Sequence, residues 1–340
     1  MSKLLLVWLS LVLLQPIYGQ SRNNNPVFQQ TPISGNIPDF SAIDDHVLQL
    51  KSKKNISNEA LVQEITQLSK TPTEKARAIF MWIANNIAYD TNFKIRTKED
   101  AIKQRKGVCE AYSGLFEEFA RIAGLEAISI SGDSKQYYYK KPSDLDRGGH
   151  AWNAVKVEND RWLLLDATWG AGHVNNQVFT KKLSTFWFDP DPEIYIFSHY
   201  PKETQWQLLY NPVDKDDFLR LPPLYPNLVL WGFNSKNLLD YFQANDNTSF
   251  PDIYSIDLSW KINQMPILAQ LEKDKSYTFE FELTENEEVA IIINNKDWHR
   301  FEKNGNIFST VFTPEKKGTA VIAVKQQDGK FAGVFKYTIL

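Results

Sequence analysis

The chain has 340 residues and a single cysteine, Cys109. No internal disulfide can form, so packing and hydrogen bonding must hold the fold without covalent cross-links. Histidine is scarce too, at five residues. One Cys and five dispersed His show no metal-ligand spacing, so no metal and no cofactor is expected. Neither sign of charge is in excess: 38 Lys and Arg stand against 41 Asp and Glu, a net charge of −3. That balance gives no electrostatic case for nucleic acid or an anionic membrane surface. The longest apolar run, Leu4 to Leu14, has eleven residues, where a bilayer span needs about 20. No internal repeat is detectable.

That short run carries a reading of its own. Lys3 precedes it, Pro16 breaks it and Gly19 supplies a small residue, so residues 1–19 read as a secretory signal peptide. The expected location is secreted or periplasmic, with no integral membrane segment after signal removal. No cysteine follows the run, which excludes bacterial lipoprotein attachment. An exported free thiol is a liability unless it is buried or used. Residues 20–38 are rich in Asn, Gln, Pro and Ser without apolar periodicity and are expected to form a flexible leader. The rest is globular in composition, 43% hydrophobic and 13% aromatic with ten Trp, and long enough for two domains.

Helical signals come first. Ser57 or Asn58 caps a helix carrying Leu61, Ile65 and Leu68 on one face. Thr73-Glu74-Lys75-Ala76 opens a second, with Ala76, Ile79, Phe80, Ile83 and Ile87 as its buried stripe. The best-defined helix begins in Gly107-Val108-Cys109-Glu110-Ala111-Tyr112. Leu115, Phe116, Phe119, Ile122 and Ala123 form its stripe and Gly124 its stop. Cys109 falls in the first turn, where unpaired N–H groups and the helix dipole favour an anion.

Forty-one residues after Cys109 comes His150, in Gly149-His150-Ala151-Trp152-Asn153, and sixteen later Asp166, in Leu165-Asp166-Ala167-Thr168-Trp169. Thiol, imidazole and carboxylate in this order are the parts of a thiol nucleophile system: one attacks, one moves the proton, one holds the imidazole's tautomer. Glu126 to Ser131 reads as a strand ended by a turn at Gly132, and Asp133 to Gly149 as a Tyr-rich loop bordering the site. His150–Val157 and Arg161–Ala167 read as a hairpin around Glu158-Asn159-Asp160. If Val157 pairs with Arg161, Trp152 lies opposite Asp166, and His150, Trp152 and Asp166 share a face. His150 and Asp166 are then diagonal neighbours within side-chain reach. A two-residue loop would put Asp166 on the wrong face.

Trp152 and Trp169 flank the triad and read as cleft walls or core, with substrate contact as a further role. His173 and His199 read as loop histidines shaping the cleft, and Tyr137-Tyr138-Tyr139 as a platform or a loop edge. From about Tyr225 the pattern changes to short alternating runs: Tyr277–Leu283, Val289–Ile293, Ile307–Phe312, Thr319–Val324 and Val334–Leu340. That spacing predicts a β-sandwich of immunoglobulin-like type with no catalytic grouping.

Four motifs, Arg105-x-Gly107-Val108-Cys109-x-Ala111-Tyr112, Ala123-Gly124-Leu125, Gly149-His150-Ala151-Trp152-Asn153 and Trp162 to Trp169, resemble the transglutaminase-like superfamily from about Thr73 to Gly170. Ser198-His199-Tyr200-Pro201 and Trp206-Gln207-Leu208-Leu209 resemble its kyphoscoliosis-peptidase branch, which also carries a β-rich C-terminal region. The resemblance implies an α+β fold with a papain/transglutaminase-like core, helices packed on an antiparallel sheet, followed by the sandwich. It divides the chain into a catalytic domain over 39–222 and an accessory domain over 223–340. It implies Cys109 as nucleophile, His150 as general acid/base and Asp166 as orienting carboxylate. Tyr89 stands where animal transglutaminases place an oxyanion-stabilising Trp. No counterpart of their calcium loops is visible. The implied activity is on amide bonds of a peptide or protein substrate through a thioester, with hydrolysis favoured over transamidation. The alternative is a non-catalytic surface or matrix protein-binding module on the same fold.

Overall fold

The computed structural model describes residues 27–29, 39–50, 56–136, 139–145, 149–233, 238–245, 248–254, 260–284 and 288–340. The signal reading of residues 1–19 lies outside them. The first helices are α1 (Ser41–Gln49), α2 (Asn58–Ile65) and α3 (Pro72–Asn86). The Ser57 hydroxyl accepts from the Ala60 N–H at 3.2 Å and starts α2. Thr71 and Glu74 form a reciprocal capping box with Pro72 at the first helical position of α3. The stripe from Ala76 to Ile87 is fully buried, whereas Leu68 is exposed because α2 ends at Ile65. Arg77 pairs with Asp44 at 2.7 Å and joins α1 to α3.

After α3 the chain forms β2 (Ala88–Tyr89), α4 (Lys98–Gln104), β3 (Lys106–Gly107) and α5 (Cys109–Ile122). β2 and β3 run parallel, with Tyr89 opposite Gly107. A four-stranded antiparallel sheet follows, built from β4 (Ala127–Ser134), β5 (His150–Lys156) and β6 (Trp162–Leu165). After α6 (Ala167–Ala171), the β7–β8 hairpin (Gly172–Asn175, Val178–Lys181) and α7 (Pro192–Tyr195), the chain returns as β9 (His199–Pro201) on the far side of β4. Asn153 pairs with Leu165 and Val155 with Leu163, and the Val157 N–H donates to Arg161 O at 2.8 Å. The hairpin register is therefore the one that the three-residue loop predicts. Gly132 does not turn the chain, as expected from sequence; it continues β4 and pairs with both His150 and Pro201. A Cβ there would lie 2.2 Å from Tyr200 O and 2.4 Å from the Trp152 ring, so the glycine serves close approach.

The second half contains α8 (Lys215–Arg220), α9 (Pro226–Leu230) and α10 (Leu238–Ala244), then β10 (Asp252–Ile253), β11 (Trp260–Pro266), β12 (Gln270–Leu271), β13 (Tyr277–Leu283), β14 (Val289–Ile293), β15 (Asp297–Arg300), β16 (Glu302–Asn304), β17 (Ile307–Phe312), β18 (Gly318–Lys325) and β19 (Phe331–Ile339). One sheet has the order β1-β11-β13-β17-β16, with β1 being Val27–Gln29; the other runs β10-β19-β18-β14-β15, with β12 beside β19. The sheets face each other through Phe279 on Tyr337 at 5.6 Å and Phe281 on Phe335 at 5.9 Å. This is a β-rich C-terminal region of two packed sheets.

Two features depart from expectation. Val27–Gln29, inside the segment expected to be a flexible leader, is a strand antiparallel to β11. The β11 edge away from β13 presents unpaired backbone groups, and β1 satisfies them. The apolar core also divides differently. Ile43 to Tyr195 make one buried cluster, while Ile194, Phe197 and the helices from Val213 to Phe242 belong with the C-terminal sheets. The 222/223 boundary lies between Leu221 and Leu224, both buried in that second cluster. No helix among the described residues is long and apolar enough to cross a membrane.

Candidate active site

Cys109 is the first residue of α5 and half-buried. The segment before it is stitched in place from both sides. The Asp90 N–H donates to Gly107 O at 2.8 Å and the Val108 N–H to Ile95 O at 2.9 Å. Asp90 fixes the intervening loop: its carboxylate accepts the N–H groups of Lys94 at 2.8 Å, Ile95 at 3.0 Å and Asn92 at 3.2 Å, and Lys106 Nζ lies 3.1 Å away. Burial alone would raise this carboxyl, but Ile95, Lys106, Lys94 and Asn92 outweigh it and hold it at about 2. Gly107 is required by packing, because a Cβ would lie 2.9 Å from the Ala111 Cβ. The β2–β3 pairing thereby brings Tyr89, half-buried with its ring edge-on to Phe93 at 6.1 Å, to the Cys109 end of α5.

His150 opens β5 and Asp166 follows β6 as the N-cap of α6. Asp166 Oδ1 accepts the N–H groups of Thr168 and Trp169, at 2.8 and 2.9 Å. Its Oδ2 accepts from His150 Nε2–H at 2.7 Å. A carboxylate only accepts, so the proton between these groups sits on His150 Nε2. The other ring nitrogen, Nδ1, is left for the Cys109 thiol, to which His150 is hydrogen-bonded. Burial disfavours the imidazolium, yet the Asp166 charge and hydrogen bond, helped by Cys109, lift His150 to about 10. Burial likewise disfavours the Asp166 anion, but His150 and His199 hold it well below the usual carboxylate range.

His199, expected to be a loop histidine, is part of the site. It sits on β9, and its Nε2–H donates to the same Asp166 Oδ2 at 3.1 Å. Burial, opposed by the Asp166 contacts and assisted by the nearby His150 charge, keeps His199 down at about 4. Asn153 was visible in the motif without a role. Its Nδ2 donates to Ser113 O at 3.0 Å and Ile128 O at 3.1 Å, fastening β5 to α5 and β4.

The remaining expectations divide. Trp152 is 1% exposed and lies beneath His150 and His199, so its expected substrate contact is corrected to packing under the site. Trp169 is half-buried, with its ring 5.5 Å from His150. His173 is exposed on β7 and does not join the cluster. Tyr139 is buried and donates its hydroxyl to Leu219 O at 2.9 Å; Tyr137 and Tyr138 lie outside the described residues. His150, Asp166 and His199 offer donor atoms within 4.8 Å of one another, a set chemically able to hold a metal ion. Sequence spacing did not foresee that cluster, because its members come from three separate segments. Each of these donors is already engaged in the hydrogen bonds above, which a metal would have to displace.

Residues 59–167 match the family model of the transglutaminase-like superfamily. Kyphoscoliosis peptidase of Homo sapiens is 33% identical over 189 residues, covering 53% of this chain and 28% of that protein. Hillarin of Drosophila melanogaster is 27% identical over 202 residues, covering 54% of this chain and 25% of that protein. The chain thus spans under a third of the length of these curated relatives. Among solved structures, the periplasmic domain of TgpA from Pseudomonas aeruginosa aligns at 23% identity and a TM-score of 0.28, over 38% of this chain and 47% of that one. Residues 59–167 are a transglutaminase-like domain. Within the superfamily, that domain belongs to the branch of kyphoscoliosis peptidase.

Proposed function

We propose that this chain is a cysteine enzyme that cleaves amide bonds of peptides or proteins, with Cys109 as nucleophile, His150 as general acid/base and Asp166 as its orienting carboxylate. The observation that carries the reading is the unbroken chain from the Cys109 thiol through His150 to the fully buried Asp166. His150 Nδ1 takes the thiol proton, and the sulfur attacks the carbonyl carbon. The carbonyl oxygen becomes an oxyanion facing the N-terminus of α5, with Tyr89 as a second donor. The C–N bond breaks as His150 returns its proton to the leaving amine, and a thioester remains on Cys109. Water, deprotonated by His150, then releases the acid; a second amine in place of water would make the enzyme a transamidase. Hydrolysis is favoured because no group in the site marks an amine subsite. Trp169 is the ring placed to meet the acyl part of the substrate.

The C-terminal sheets we read as an immunoglobulin-like accessory domain. We place the junction between Pro201 and Val213, where buried side chains pass from one core to the other. Export rests on the residue 1–19 pattern alone. The test of the catalytic reading is the rate of Cys109 alkylation by iodoacetamide against pH, in the wild type and in His150→Ala. Rapid labelling well below pH 8, slowed in the variant, supports an activated thiolate. Ordinary thiol curves in both would leave the binding-module reading, with the β-sandwich as the working part.

A further inference from the structure

The Asp166 carboxylate serves two imidazoles through one oxygen: His150 Nε2 at 2.7 Å and His199 Nε2 at 3.1 Å, both on Oδ2. A thiol–imidazole–carboxylate relay needs only the first. The second is built as carefully as the first. His199 is 1% exposed, stacked on Tyr195 at 4.1 Å with 7° between the rings, and walled by Trp169 at 4.6 Å and Trp152 at 5.0 Å. The Ser198 hydroxyl stands 2.8 Å from its Nδ1 and 3.1 Å from Tyr195 O. With the His199 proton on Nε2, Nδ1 must accept, so the Ser198 hydrogen goes to Nδ1 and locks that tautomer. Ring stack, hydroxyl and aromatic walls therefore hold His199 as a neutral donor aimed at one carboxylate oxygen.

We propose that His199 is a positioning residue that shares the charge of Asp166 with His150, so that His150 keeps its proton loosely enough to return it to the leaving amine. The inference rests on the reading of Cys109, His150 and Asp166 as the reacting groups. Its physical basis is competition. A carboxylate oxygen that accepts a second N–H offers less negative charge to the first. A carboxylate reserved for His150 alone would bind the imidazolium tightly and make it a poor general acid. The neutral state of His199 matters equally, since a second imidazolium beside His150 would repel it; the burial that holds His199 at about 4 keeps it uncharged through the neutral range.

The experiment is a pH titration of the full chain labelled with 15N-histidine, read by NMR, for wild type, His199→Phe, His199→Gln and Ser198→Ala. Nitrogen shifts distinguish imidazolium from each neutral tautomer, and the five histidines are assigned by single substitutions. In the wild type, His199 is expected as the neutral Nε2–H tautomer from pH 5 to 9. In His199→Phe, which keeps ring and stack but removes the donor, the His150 midpoint is expected to rise by about one pH unit, a tenfold gain in proton affinity. His199→Gln restores an N–H near the same oxygen and returns the midpoint toward wild type. Ser198→Ala leaves the ring in place, loosens its tautomer and gives a partial rise, which keeps the test alive if the Phe variant does not fold. A His199 that is charged at pH 6, or of the Nδ1–H tautomer, overturns the proposal. So does an unmoved or lowered His150 midpoint in folded His199→Phe and Ser198→Ala. Failure of the catalytic reading looks different: ordinary thiol labelling of wild-type Cys109 and a His150 already neutral at pH 7, whatever His199 does.

Discussion

Replacing Asp166 by Asn tests the site most directly, because it changes one charge and almost no volume. Oδ1 caps α6 by accepting two N–H groups, from Thr168 and Trp169. That cap fixes the Asn side chain: its oxygen stays on the cap and its NH2 takes the place of Oδ2. A flip would set two donors against two donors. The NH2 group then faces His150 Nε2, at the distance of 2.7 Å where Oδ2 now accepts. His150 must present a lone pair there, and its proton moves to Nδ1, the atom that should receive the thiol proton. Without the Asp166 charge, burial also prevails over the influences that lift His150 to about 10. In the wild type this raised value stabilises the fold fully below about pH 6.5, and the contribution is lost as pH rises toward 10; in the variant it is absent throughout. An ordinary thiol with pKa about 8.5 is about 0.3% thiolate at pH 6, so full proton transfer to His150 is worth about 300-fold in thiolate. A thiolate stabilised by three pK units is about 30-fold less nucleophilic, which leaves roughly tenfold in alkylation rate. With a single cysteine, mass spectrometry after iodoacetamide reads Cys109 alone. Asp166→Asn should label roughly tenfold more slowly at pH 6, with a rate rising tenfold per pH unit where the wild type is flat. Equal rates and profiles in the two proteins, with unchanged circular dichroism, would refute the assignment of Asp166.

Other expectations follow from the supporting structure. Gly107→Val puts branched carbon where a Cβ already meets Ala111 at 2.9 Å; thermal unfolding should show a loss of about 1–3 kcal/mol, and Cys109 labelling should slow as β3 shifts. Asn153→Leu strips the Ser113 and Ile128 carbonyls of their buried donor, and urea unfolding should record a loss of about 2–4 kcal/mol. Asp90, held at about 2 against an unfolded value near 4, contributes stability above pH 4 that is lost as pH falls toward 2. Asp90→Asn should therefore be less stable than wild type at pH 6, with the gap closing by pH 2, measured by denaturant midpoints. Phe281→Ala removes a ring fully buried between the sheets, stacked on Trp260 at 4.6 Å; a loss of about 3–5 kcal/mol is expected in calorimetry.

What the sequence determined by itself was local or periodic. The Cys109 helix, its stripe and its Gly124 stop follow from the 3.6-residue repeat, and Tyr277–Leu283, Val289–Ile293 and Ile307–Phe312 were delimited as strands by alternation alone. The hairpin register was legible because side chains alternate faces, so an odd loop between Val157 and Arg161 leaves one arrangement with His150 near Asp166. Only the tertiary structure decided the rest. His199 is 33 residues from Asp166 and reaches it because β9 returns beside β4; no periodicity within either segment encodes that return. Trp152 went beneath the site rather than into the cleft because α7 and β9 cover its face with Tyr195 and His199. Val27–Gln29 became a strand because a sheet edge more than 200 residues away offers it hydrogen bonds. Helices α8 to α10 joined the C-terminal core because Phe218, Leu228 and Phe242 find their apolar partners there. Near neighbours in the chain are fixed by backbone geometry, whereas these pairings depend on which surfaces remain to be covered once the local elements exist.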